Sequence, residues 1–148
     1  GKDEKIFKVI KFKSMTDERD AEGKLLPDAQ RLTKVGKFVR STSIDELPQF
    51  LNVLKGDMSI VGPRPHMLLH TEMYSAAISK YMVRHFSKPG ITGWAQVTGF
   101  RGETKELWQM EERVKRDIWY NENWSFKLDM EIIFRTAWSV IHPDKHAY

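Results

Sequence analysis

The chain has 148 residues, 41% of them hydrophobic, which allows one domain with a real core and argues against disorder. It has no cysteine, so a disulfide scaffold and any cysteine-based nucleophile or metal site are excluded. The formal charge of +4 suits an anionic partner such as a phosphorylated substrate, nucleic acid or an acidic membrane face, and equally an ordinary globular surface. No stretch approaches the roughly 20 consecutive apolar residues of a spanning helix. The chain opens on Gly1-Lys2-Asp3-Glu4-Lys5 with no initiator Met, and is expected to be a fragment or processed chain with something upstream.

Residues 6–12 are rich in Ile, Val and Phe and predict a short strand. Residues 16–27 are charged and carry Gly23 and Pro27, predicting a loop. Leu32, Val35 and Val39 predict a helix over 29–40, weakened by Gly36. Leu47, Phe50, Leu51 and Leu54 fall at i, i+3, i+4, i+7, the pattern of an amphipathic helix, which Lys55-Gly56-Asp57 ends. A short strand follows at 58–61, and Gly62-Pro63-Arg64-Pro65 predicts a rigid extended turn.

Tyr74, Ala77, Ile78, Tyr81 and Met82 mark a further helix that Pro89-Gly90 stops. Residues 91–97 read as a strand. A long charged helix is expected over 103–121, with Leu107, Met110, Val114 and Ile118 on one side. Ser125 is placed to cap a last helix over 126–141, apolar around much of its circumference and so buried or set against a bilayer. The five tryptophans are by default core, though several near the later helices also suit an interfacial belt. The expected fold is α+β: one helix-rich domain over 1–148 with a small sheet of short strands.

The richest stretch for chemistry is Ser43-Ile44-Asp45-Glu46-Leu47-Pro48-Gln49. Pro48 belongs in a first helical turn, which puts the N-cap near Ile44 or Asp45. Asp45 would then lie at a helix start, where free N–H groups favour anions and keep its carboxylate ionised. An ionised carboxylate can attack phosphorus to give an acyl phosphate, and Glu46 could hold Mg²⁺, a hard cation that takes oxygen ligands. Ser43-x-x-Glu46 equally matches a capping box, so this stretch alone leaves both readings open. Lys11, Lys13, Arg40, Arg64 and Arg101 are candidate phosphate contacts, Arg64 most pointedly because two prolines fix it. The histidines show no metal-site spacing beyond His66/His70, which lack the Glu of the metalloprotease motif. His85, close to Pro89-Gly90, could meet a phosphate. P-loop and nucleophile-elbow motifs are absent from the sequence. Basic residues interspersed among 20 acidic ones argue against a nucleic-acid partner.

Taken in order, these motifs resemble the bacterial sugar transferase family, the monotopic phosphoglycosyl transferases. The resemblance runs through Lys11-Phe12-Lys13-Ser14-Met15, the approach from Arg31 to Arg40, the Ser43 to Gln49 stretch, and Gly56-Asp57-Met58-Ser59-Ile60-Val61-Gly62-Pro63-Arg64-Pro65. It continues through Lys88-Pro89-Gly90-Ile91-Thr92-Gly93-Trp94-Ala95-Gln96-Val97, Gly99-Phe100-Arg101-Gly102, Arg113-Val114, Asp117, Tyr120, Trp124-Ser125 and Asp129 to a closing Ala147-Tyr148.

The resemblance implies a nucleophilic Asp45, with Glu46 as its catalytic neighbour and Mg²⁺ ligand. It implies Lys11, Arg40, Arg64, Gln96 and Arg101 as substrate contacts. The implied reaction moves a sugar-1-phosphate, glucose or galactose in character from Gly99-Phe100-Arg101-Gly102-Glu103, from a UDP-sugar to a polyprenyl phosphate. It also implies an upstream re-entrant membrane helix, amphipathic helices on the membrane surface (73–86 and the last helix), and a place on the cytoplasmic face of the bacterial inner membrane. A homodimer is among the expected partners. An inert scaffold homologue and a Mg²⁺-dependent phosphohydrolase are the alternatives.

Overall fold

The computed structural model describes residues 1–102, 104 and 106–142; Glu103, Lys105, His146 and the closing Ala147-Tyr148 lie outside the described residues. Short helices α1 (Asp28–Arg31), α2 (Lys34–Ser41) and α3 (Gln49–Leu54) precede strand β1 (Ser59–Val61). Then come α4 (Leu68–Ala77), a 3₁₀ turn over Tyr81–Phe86, strand β2 (Gly90–Thr92) and α5 (Trp94–Val97). Two sixteen-residue helices finish the domain, α6 (Leu107–Glu122) and α7 (Phe126–Ile141). The sheet is one parallel pair, with Ser59 opposite Gly90 and Val61 opposite Thr92. The α+β, helix-rich expectation is therefore met.

Helix α6 is the central element. Tyr120, near its end, packs with Val61 of β1 and with Leu128 and Ile132 of α7, flanked by Trp94 and Val97. Met110 and Val114, nearer its start, pack with Ile78 and Tyr81, flanked by Tyr74, Met82 and Ile118. Ser125 caps α7 as expected, its hydroxyl accepting from the Leu128 N–H at 3.2 Å.

Several expectations are corrected. Residues 6–12 form no strand; one buried side chain holds the segment at Lys8 and Ile10. Asn52, 1% exposed on α3, accepts from the Ile10 N–H at 3.0 Å and donates to the Lys8 carbonyl at 2.8 Å. The Phe12 N–H donates to the Asp45 carbonyl at 3.0 Å. An amide side chain thus supplies the donor and acceptor that a partner strand would.

The helix expected over 29–40 is two, split where Thr33 caps α2 by accepting from the Gly36 N–H at 2.8 Å. The helix expected through Met82 ends at Ala77, and Lys80 at φ 63° turns the chain into the 3₁₀ turn. The strand expected over 91–97 stops at Thr92, because α5 starts after Gly93.

Helix α3 forms where its periodicity indicates, but with its faces reversed. Gln49 and Asn52 are buried, while Leu47, Phe50, Leu51 and Leu54 are exposed, Leu54 by 83%. The tryptophans depart from the core default in the same direction. Trp108, Trp119, Trp124 and Trp138 are exposed, and Trp94 stacks on Trp119 with ring centroids 5.0 Å apart.

Candidate active site

The site forms where the 6–12 segment, the turn before α3, the turn after β1 and the loop after α5 come together. Asp45 and Glu46 sit in a three-residue 3₁₀ turn, Ile44–Glu46, rather than at the start of α3, which begins only after Pro48. This corrects the helix-terminus argument. A turn this short offers little dipole, so the charge of the pair must be balanced by side chains.

Ser43, just before the turn, adopts left-handed backbone at φ 58° and makes no side-chain cap, so the capping box is not formed. Its hydroxyl instead accepts from the Arg101 guanidinium. A non-glycine residue in the left-handed region beside a carboxylate pair is the kind of strain that accompanies function.

Glu46 is the better compensated of the two. Arg64 grips both its oxygens, at 2.5 Å to Oε1 and 3.3 Å to Oε2, in the fork geometry that arginine favours. Lys11 Nζ donates to Oε1 at 3.1 Å. Burial alone would raise the Glu46 carboxyl; the Arg64 and Lys11 cations more than reverse this and bring it down to about 2.

Asp45, only 8% exposed, moves the other way. Burial and the Glu46 charge push it above the ordinary carboxylate range, with Lys11 and Arg40 opposing. Two adjacent carboxyls are thereby driven apart, one kept as a permanent anion and one made more basic, which is how catalytic carboxylates divide their roles.

The other expected residues fall around this pair. Arg40 acts on Asp45 through its charge, while its Nε donates to the Ser14 hydroxyl at 3.1 Å. A 790 Å³ cavity is lined by Lys11 and Arg64 together with His66 and His85. A 340 Å³ cavity is lined by Ser43, Glu46, Gln96 and Arg101, with apolar walls from Leu47, Phe50 and Val140. The Glu46 ion pair therefore bridges the two cavities. Gln96 donates to the Ile91 carbonyl at 3.3 Å, and its Oε1 is buried without a hydrogen-bond partner. Lys13 is not part of this cluster; it pairs with Asp17 on an exposed surface. Among the described residues no group of three or more His, Asp or Glu could hold a metal by itself.

Sequence reasoning missed the support behind the site. Arg84 is buried and pairs with Asp117 of α6 at 2.8 Å. One turn earlier on α6, buried Arg113 donates to the Gly102 carbonyl at 2.6 Å and so fixes the loop that carries Arg101. Burial brings Arg113 down to about 10. Arg84 lies among apolar residues in Tyr81-Met82-Val83-Arg84, and a cation in such a run was the available signal.

Comparison with known proteins agrees with the motif order. The family described as bacterial sugar transferase matches residues 1–143. A UDP-glucose:undecaprenyl-phosphate glucose-1-phosphate transferase of Klebsiella pneumoniae is 54% identical over 93% of this chain and 30% of its own length. That of Escherichia coli (strain K12) is 52% identical over the same shares. A UDP-N-acetylgalactosamine-undecaprenyl-phosphate N-acetylgalactosaminephosphotransferase of Aeromonas hydrophila is 40% identical over 95% of this chain and 33% of its own. The chain thus spans about a third of the length of these relatives. Fold, motif order and these similarities together make the chain a member of the bacterial sugar transferase family.

Proposed function

We propose that this chain is the catalytic domain of a phosphoglycosyl transferase that works through a covalent Asp45 intermediate. A carboxylate oxygen of Asp45 attacks the β-phosphorus of a UDP-sugar. The bond from that phosphorus to the bridging oxygen breaks, UMP leaves with the electron pair, and a sugar phosphate stays on Asp45. An oxygen of a polyprenyl phosphate then attacks the same phosphorus, freeing the carboxylate and giving a polyprenyl diphosphate sugar. The observation that supports this reading is buried Asp45 beside Glu46, whose carboxylate Arg64 and Lys11 hold within one cluster of cations.

Each residue has a task in that scheme. Asp45, buried and raised, is the nucleophile. Arg64 and Lys11 hold Glu46 as an anion and lie beside the path of the diphosphate, where they offset charge on the transferred group. Arg101 and Gln96 line the smaller cavity with Glu46 and orient substrate there.

Mg²⁺ commonly binds through one or two carboxylates plus substrate phosphates, and the donor set fits this mode, because Glu46 keeps acceptor capacity beyond its contacts to Arg64 and Lys11. Glu46 would hold the ion, which when bound polarises the phosphoryl oxygens.

The donor sugar in this reading is glucose or galactose. The names of the relatives at 54% and 52% identity favour glucose. The exposed apolar face of α3, with Phe134, Trp138 and Ile141 of α7, supports a membrane-surface position, on the cytoplasmic face of the bacterial inner membrane. No helix among the described residues is long and apolar enough to cross a bilayer.

The test is UMP release from UDP-glucose by the full-length protein with polyprenyl phosphate and Mg²⁺. Asp45→Asn should reduce it by at least about a thousandfold, the scale on which nucleophile removal acts. Ordinary turnover by a folded Asp45→Asn protein would exclude the covalent scheme.

A further inference from the structure

Arg64 grips Glu46 from a turn whose backbone is tied to β2 only at its start, where the Pro63 carbonyl accepts from the Gly90 N–H at 2.9 Å. Something must set the height and angle of that turn. Pro63 and Pro65 restrict its backbone, but stiffness alone does not aim a side chain. The structure supplies an aiming device directly behind it.

Arg84 is 1% exposed at its side chain, in the 3₁₀ turn Tyr81–Phe86. Its NH2 donates to the Arg64 carbonyl at 2.7 Å and pairs with Asp117 at 2.8 Å. Its NH1 lies 2.6 Å from His66 Nδ1 and 3.3 Å from the Tyr81 hydroxyl. His66 can receive that contact because burial, reinforced by Arg84, holds its imidazole neutral. Four groups, from α6, from the 3₁₀ turn and from both sides of Pro65, thus converge on one guanidinium.

Burying a charged pair is costly, and apolar residues of similar volume commonly serve stability as well or better. An apolar pair could not hold the Arg64 carbonyl. We propose that Arg84, oriented by Asp117, is a positioning residue that sets the Pro63-Arg64-Pro65 turn so that Arg64 meets Glu46 with both arms of its fork. Arg84 touches neither Asp45 nor Glu46 in the hydrogen-bond network; it acts through Arg64. The inference deepens the proposed function, and its catalytic consequence rests on that reading.

Two variants of the full-length protein test it. Arg84→Lys keeps a cation for Asp117 but cannot reproduce the fork. Arg84→Met/Asp117→Leu removes both charges together, so neither is left buried alone. Each should lower kcat with UDP-glucose by about 10- to 100-fold, the scale of a small misplacement in a site. In an Arg64→Ala background the same changes should cost less than about twofold, because the group being aimed is gone.

A second readout needs no turnover. With the Arg64 guanidinium followed by nitrogen-15 NMR, the wild-type protein should show distinct, restrained NH2 signals from the two-armed contact with Glu46, and both variants should average them. An equal loss with and without Arg64, or unchanged Arg64 signals in folded variants, would overturn the proposal. If the wild-type protein transfers nothing from any UDP-sugar, the functional reading fails, and the Arg64 signals still decide the positioning role.

Discussion

At the residue scale the proposed chemistry turns on Asp45 and Glu46, neighbours with opposite surroundings. Glu46 falls to about 2 in the folded chain from an ordinary 4.5. Its contribution to stability is therefore fully present above pH 4.5 and is lost as pH falls through about 2. Asp45 is raised, so its ionisation works against the fold as pH climbs above its ordinary value, and its reactive form gains population over the same range. The donor half-reaction should accordingly rise with pH along an acidic limb set by Asp45. Arg40 and Lys11 hold that limb down. Arg40→Ala should shift it to higher pH by up to about one unit, the size expected on losing one nearby cation. A pH–rate profile of UMP release checks this; an unmoved limb would detach Arg40 from Asp45.

At the scale of elements, Gly36 shows packing overruling propensity. Glycine inside a helix normally weakens it, and alanine would be expected to stabilise α2. Here the glycine is buried, and a Cβ would collide with the Ser14 carbonyl oxygen. Gly36→Ala should therefore destabilise the domain by about 1–3 kcal/mol, as overpacking does, which thermal or denaturant unfolding would measure. A gain in stability would mean that the Ser14 segment yields freely.

How much was legible follows from the same contrast. Helix α7 was readable to its ends, because a local cap and an apolar run agree. The carboxylate pair and its cations were readable as residue types in order. The 6–12 segment was misread because its apolar composition is that of a strand, while its partner is the distant Asn52 side chain. The α3 face was misread because periodicity reports that a face is apolar, not what covers it. Arg84 escaped because its value comes from Asp117 and the Arg64 carbonyl, which the sequence separates widely.

Across the whole molecule, apolar side chains stand on the surface while Asn52, Arg84 and Asp117 are buried. Beside the apolar cores around α6, the exposed apolar face fits the proposed membrane-surface position. Leu51→Glu/Leu54→Glu should fold normally and bind anionic phospholipid vesicles at least about tenfold more weakly, given the apolar area withdrawn; undiminished cosedimentation would place the membrane face elsewhere. The proposed transfer reaction joins these scales, since in it a water-soluble donor and a lipid acceptor meet at one carboxylate. The most direct measurement is the intact mass of the protein after incubation with UDP-glucose and Mg²⁺, without acceptor lipid. A hexose-phosphate adduct that maps to Asp45 and is absent from Asp45→Asn is the expected result. Transfer to polyprenyl phosphate by a protein that never carries such an adduct would contradict the covalent scheme.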